Sequence, residues 1–151
     1  MVIGIFGESC TGKTTLAEAI TAVVACEVYS GKDYLRLAKN ENVARILFQK
    51  KLQDAVYGEN IIYVISEKEH LSFLPEGALR IHMTAQLDTI KSRFAKRMRG
   101  TLPVPVATML ERKHGCFDNE FCELRIQAEE FSVDDAVDWI RENIQTNKGR
   151  E

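Results

Sequence analysis

Eight consecutive residues, Gly7-Glu8-Ser9-Cys10-Thr11-Gly12-Lys13-Thr14, match the pattern G-x-x-x-x-G-K-[ST] without a mismatch. The chemistry that needs this spacing is the capture of a chain of phosphates. Gly7 lets the backbone turn sharply, and Gly12 lets main-chain N–H groups approach phosphate oxygens with no Cβ in the way. The N–H groups of Ser9, Cys10, Thr11 and Gly12 supply the cradle. Lys13 reaches the outer phosphates as a mobile point charge. The Thr14 hydroxyl ligates Mg²⁺, and Thr15 offers a hydroxyl to another phosphate oxygen. ATP and Mg²⁺ are the expected cofactors.

A second set of cations, Arg93, Lys96, Arg97 and Arg99, gathers just before Gly100. On a helix at ~100° per residue, Arg93 and Arg97 share one flank. Such arginine forks stabilise the charge that spreads over a phosphoryl group in transit. Lys13, Arg93 and Arg97 are therefore the expected catalytic residues, with Arg99 at the nucleotide. The competing reading is a solvated basic helix face. A guanine-reading Asn-Lys-x-Asp is missing, because Asn147-Lys148 is followed by Gly149-Arg150. No acidic pair closes an apolar strand, as it usually does in an ATPase. A small kinase fits what is left, and a non-catalytic ATP-binding sensor or regulatory module is the alternative.

The elements that must position these groups alternate between strand and helix. Val2-Ile3-Gly4-Ile5-Phe6 is a short apolar run of the kind buried on both faces. From about Lys13, Leu16, Ala19, Ile20, Val23 and Val24 repeat with helical spacing. A strand over 26–29, helices over 31–39 and 41–57, and strands over 61–65 and 79–83 follow. A helix then carries Leu87, Ile90, Phe94 and Met98 on one face until Gly100 and Pro103 break it. After a loop and a short helix, 123–127 is a fifth strand. Ser132-Val133-Asp134-Asp135 reads as a capping box opening the last helix, with 145–151 as a frayed polar tail. The pattern predicts an α/β fold of three layers, with a five-stranded, mostly parallel sheet covered on both faces. The ligand then sits beyond the carboxyl ends of the strands, among the loops after Phe6, Tyr29, Ile65, Met83 and Gln127.

Four stretches together resemble a P-loop nucleoside monophosphate kinase, most closely the cytidylate kinase-like branch. They are the first strand with its phosphate loop, Tyr29-Ser30-Gly31-Lys32-Asp33-Tyr34, the strand and Ala at 78–85, and 117–140. The resemblance implies the P-loop NTPase fold, a mobile lid (about 99–107 here) and a small phosphorylated acceptor. It places the acceptor at Gly31, Asp33 and Arg36. Such kinases carry an Arg directly after the aromatic; here Leu35 stands there and Arg36 comes one place later. Asp33 can orient an acceptor hydroxyl or hold Mg²⁺ through water, and it can equally be a first-turn acid favoured by the helix dipole. The third strand ends Ile65-Ser66-Glu67 without the usual Asp, leaving Glu67 as the acid for a magnesium-bound water.

The 151 residues suit one domain, and a net charge of -2 gives no reason to expect nucleic acid as a partner. No apolar run is long enough to span a membrane, and the N-terminus lacks a secretory pattern. Cys10, Cys26, Cys116 and Cys122 form no CxxC pair, so a cytoplasmic protein with reduced thiols is expected. Cys10, beside a helix N-terminus, is the thiol most open to oxidation. His70, His82 and His114 show no ligand spacing, and His82 reads as a packed residue within a strand. Trp139, off its helix's apolar stripe, covers a core edge or marks a dimer contact. The oligomeric state is left open.

Overall fold

A computed structural model describes residues 1–130 and 132–148. Five strands, β1 (Val2–Phe6), β2 (Glu27–Ser30), β3 (Ile61–Ile65), β4 (Leu79–Thr84) and β5 (Leu124–Gln127), form one sheet in the order β2-β3-β1-β4-β5. Every pairing is parallel. Five α-helices intervene: α1 (Lys13–Thr21), α2 (Glu41–Ala55), α3 (Leu87–Arg97), α4 (Val104–Lys113) and α5 (Val133–Lys148). The expected three-layer α/β architecture is therefore the one observed.

Alternation along the strands builds two cores. In β1, Ile3 and Ile5 face α1 and α5, where they meet Leu16, Ile20, Ala136, Ile140 and Ile144. Val2 and Phe6 face the opposite side, where Phe48 and Leu52 of α2 pack with Tyr29, Tyr34, Tyr63 and Phe73. A third, smaller cluster joins α3 to α4 through Ile90, Leu110, Phe94 and Val106. Trp139 packs against the α1–α5 core. Because β1 is central, with the connection from β1 running to β2 on one side and the connection from β3 crossing to β4 on the other, a crevice opens at its carboxyl end.

Several expected boundaries move. The helix expected over 31–39 is a 3₁₀ turn, Asp33–Leu37. Gly31 turns left-handed at φ 53, the Asp33 carboxylate accepts the Ser30 N–H at 2.9 Å, and the chain is extended again at Ala38, which leaves room for only this short run. The segment expected as a lid, 99–107, keeps only its first part irregular, because Val104 already begins α4, with Pro103 capping it and Pro105 in its first turn. The Ser132 hydroxyl accepts the Asp135 N–H at 3.0 Å, as the capping pattern implied. α5 continues to Lys148, three residues past the start of the expected tail, and 149–151 lie outside the described residues. Among the described residues no helix is long and apolar enough to cross a membrane.

Candidate active site

The phosphate loop leaves β1 between β3 and β4, and its first N–H donates to Ile65 O at 3.2 Å. Gly7 is required by space: a Cβ there would overlap the Met83 carbonyl of β4. Gly12 is required by conformation. It sits at φ 95 as the N-cap of α1, and no side chain caps that end. The first turn of α1 carries no acid, so its N–H groups and positive dipole end remain available to an anion.

Lys13 is only 6% exposed. Its ammonium donates to the Glu8 carbonyl at 2.6 Å, and the Thr11 hydroxyl donates to the same oxygen at 2.9 Å. Burial pushes the Lys13 pKa down to about 8; Arg97 lowers it further, while Cys10 and Glu8 pull the other way. A buried cation bonded to a neutral carbonyl stands to gain from a phosphate anion.

Two adjoining cavities flank the loop. The larger, about 330 Å³, runs between α1, α3 and the start of α5. Its apolar walls are Leu16, Met83, Ile126, Ala128 and Val133, with Arg93 and Arg97 on one side. This suits a flat heteroaromatic base ending in phosphates. The smaller, about 180 Å³, is polar and lined by Ser9, Lys13, Thr14, Ser30, Gly31 and Ser66. Cys10, Gly12, Thr15 and Arg97 border both.

The α3 flank delivers its arginines to the loop. Arg93 Nη1 donates to the Cys10 carbonyl at 3.1 Å, and Arg97 stands where the two cavities meet. Arg99 is exposed, adopts φ 65, and lines neither cavity. On the other side of the site, Gly31 lines the polar cavity but its expected companions do not. Asp33 is committed to the Ser30 N–H. Arg36 lies over the Tyr29 ring, 4.3 Å from its centroid, with Glu27 3.8 Å away. Glu67 points to Lys113, 3.8 Å away. For Mg²⁺, the polar cavity offers hydroxyl oxygens, those of Thr14 and Ser66 with Ser9, Thr15 and Ser30. Such oxygens suit a cation that keeps most of its waters and takes phosphate oxygens. Among the described residues no cluster of three or more His, Cys, Asp and Glu forms a separate metal site.

Sequence reasoning missed the apolar wall of the larger cavity, Met83, Ile126, Ala128 and Val133, whose one signal was their place at or after the carboxyl ends of β4 and β5. It also missed a contact between distant residues. The Glu8 carboxylate lies 3.1 Å from His114 Nδ1 and accepts the Gly115 N–H at 3.1 Å.

No protein-family model and no curated protein matches this sequence. Solved structures do match its fold. An uncharacterized protein from Eubacterium ventriosum superposes with a TM-score of 0.68 at 18% identity, covering 96% of this chain and 98% of that one. The shikimate kinase of Acinetobacter baumannii, solved with shikimate, gives 0.63 at 15% identity over 97% and 94%. A gluconokinase from Sinorhizobium meliloti gives 0.59 at 12% identity over 97% and 96%. The chain has the fold of these P-loop kinases.

Proposed function

We propose that the protein transfers the γ-phosphoryl group of ATP, with Mg²⁺, to a small acceptor. The observation that carries this is the placement of Arg97, at the junction of the base-sized cavity and the polar cavity, beside the buried Lys13. A protein that only bound ATP would need the loop and the base wall. A cation at the junction has its task when charge builds on a moving phosphoryl group. Lys13 and the loop amides hold the triphosphate, Thr14 holds Mg²⁺, and Arg93 fixes the loop by its bond to Cys10 O.

The acceptor is the finer question. A nucleoside monophosphate needs a cation for its own phosphate, and the residue expected to supply one, Arg36, rests on Tyr29 and Glu27. The names of the structural neighbours, shikimate kinase, gluconokinase and a sugar kinase, point to hydroxylated acceptors. We favour a small hydroxylated molecule. The monophosphate reading keeps the support of Ser30 and Gly31 at the polar cavity.

The test is ATP consumption by the purified protein with Mg²⁺ against nucleoside monophosphates and hydroxylated metabolites, with Lys13→Ala as control. Turnover that depends on one acceptor and disappears in the control is expected. ATP binding without stimulation by any acceptor would instead identify a regulatory nucleotide-binding module.

A further inference from the structure

Helix α2 is apolar on two faces. Ala44, Phe48, Leu52 and Ala55 repeat at helical spacing and are buried against the sheet. Val43, Ile46 and Leu47 lie roughly 135° round the helix from that stripe. They are 46%, 63% and 43% exposed, so the described chain leaves them open to solvent. Tyr57, in the turn just past the helix, is 83% exposed. A lone exposed aliphatic is ordinary, but three that adjoin on one face form a patch of the kind that meets another surface. A helix apolar on both faces is the pattern of a helix packed on both sides.

The charges around this face identify what covers it. On its other flanks α2 pairs its charges within the chain, Glu41 with Arg45 at 3.2 Å and Lys51 with Glu27 at 3.2 Å. Lys39, Lys50 and Asp54 are exposed and join no ion pair among the described residues. Lys39 directly precedes the N-cap Asn40, and Asp54 stands in the last turn. Each is at the wrong end of its own helix, because the dipole favours acids at the N-terminus and bases at the C-terminus. An antiparallel neighbour reverses both penalties. It brings a helix C-terminus beside Lys39 and a helix N-terminus beside Asp54.

A second α2 is such a neighbour. About a two-fold axis between positions 46 and 47, Ile46 meets the partner's Leu47, Val43 meets the aliphatic stem of the partner's Lys50, and Lys39 meets the partner's Asp54. A parallel pairing would instead set Lys39 against lysine and Asp54 against aspartate. We propose that the protein pairs with a second copy of itself through the outer face of α2, antiparallel about this axis. Val43, Ile46 and Leu47 of both copies form the apolar centre, and an ion pair closes each end. Because the face is complementary to itself, assembly stops at two copies. None of these residues lines either cavity at the phosphate loop, so the pairing stands apart from the phosphoryl-transfer reading.

Sedimentation equilibrium of the purified full chain tests it. The parent should fit a monomer–dimer equilibrium with a dissociation constant of micromolar order or tighter. Ile46→Glu sets two carboxylates at the axis and should weaken the pair by about 10²-fold. The position is 63% exposed, so folding is not at stake, and circular dichroism checks that. Lys39→Asp alone sets acid against acid at both ends and should weaken the pair by about 10-fold. Adding Asp54→Lys restores opposite charges with the signs exchanged and should recover the parent's constant. A parent that stays monomeric up to roughly 100 μM would overturn the second copy as occupant and leave the face to a different protein. A dimer indifferent to Ile46→Glu would lie on another face, which overturns the proposal as well. A dimer weakened by Lys39→Asp but not recovered by the double exchange would overturn the antiparallel register, and a trimer or an open polymer would overturn the two-fold axis.

Discussion

Lys13 concentrates the physics of the site in one side chain. Its burial holds its pKa near 8, against an ordinary value of 10.5. Only the protonated form attracts phosphate, so ATP affinity should fall as pH rises through 8 toward 10. Titration calorimetry across that range checks it, and Lys13→Met should bind weakly and without this slope. The residues of the loop were legible because their task is local: eight neighbours and one helix N-terminus make the whole device. Asp33, Arg36 and Glu67 were not legible in the same way. Each carries the right charge near the right strand end, but another partner claims it: the Ser30 N–H for Asp33 and Glu27 with Tyr29 for Arg36, both from β2 just upstream, and the distant Lys113 for Glu67. The Glu8–His114 contact was not legible for the opposite reason, since its two partners stand 106 positions apart.

At the scale of elements, α3 acts as a rigid arm. Ile90 is fully buried against Ala85 and Leu110, which fixes the helix's rotation and so aims the flank bearing Arg93 and Arg97 at the loop. The expected consequence is a contrast between two arginines. Arg97→Ala should lower kcat by about 10²–10³-fold with ATP binding largely kept, the loss typical of one electrostatic donor. Arg36→Ala, whose charge rests on an exposed edge beside Glu27, should leave kcat nearly unchanged. Steady-state kinetics on both variants decides it, and equal losses would mean that Arg36 leaves Tyr29 when substrate arrives. Helical periodicity gave this arm correctly, since its apolar face is its own. It gave an α-helix at 31–39 where the chain makes only a 3₁₀ run, because Gly31 is left-handed at one end and Ala38 is extended at the other.

The whole molecule carries a second titratable group where water does not reach. His82 is 2% exposed, stacks on Phe6 with ring centroids 4.8 Å apart, and borders both the β1 strand and the segment at Phe117. Burial, helped by the charge of Arg125, pushes its pKa down to about 4. The unfolded chain takes up a proton there as pH falls through 6.5, and the folded chain does not until about 4. Stability should therefore drop over that window, by up to about 3 kcal/mol at roughly 1.4 kcal/mol per unit. Denaturant melts between pH 7 and 4 measure the slope, and His82→Phe should flatten it. A slope unchanged in that variant would assign the acid sensitivity to other groups.

The central position of β1 has a consequence for the birth of the protein. β1 is synthesised before both of the strands it pairs with, Ile61–Ile65 and Leu79–Thr84. At about 5–20 residues/s, roughly 4–16 s pass before both have been synthesised. Throughout that interval Val2-Ile3-Gly4-Ile5-Phe6 is a bare, uncharged run with two open edges, the kind of segment that chaperones hold and aggregates recruit. The nucleotide cannot rescue it early, since the cradle is braced by β3 and β4, so the nascent chain is protected only by what other proteins in the cell provide.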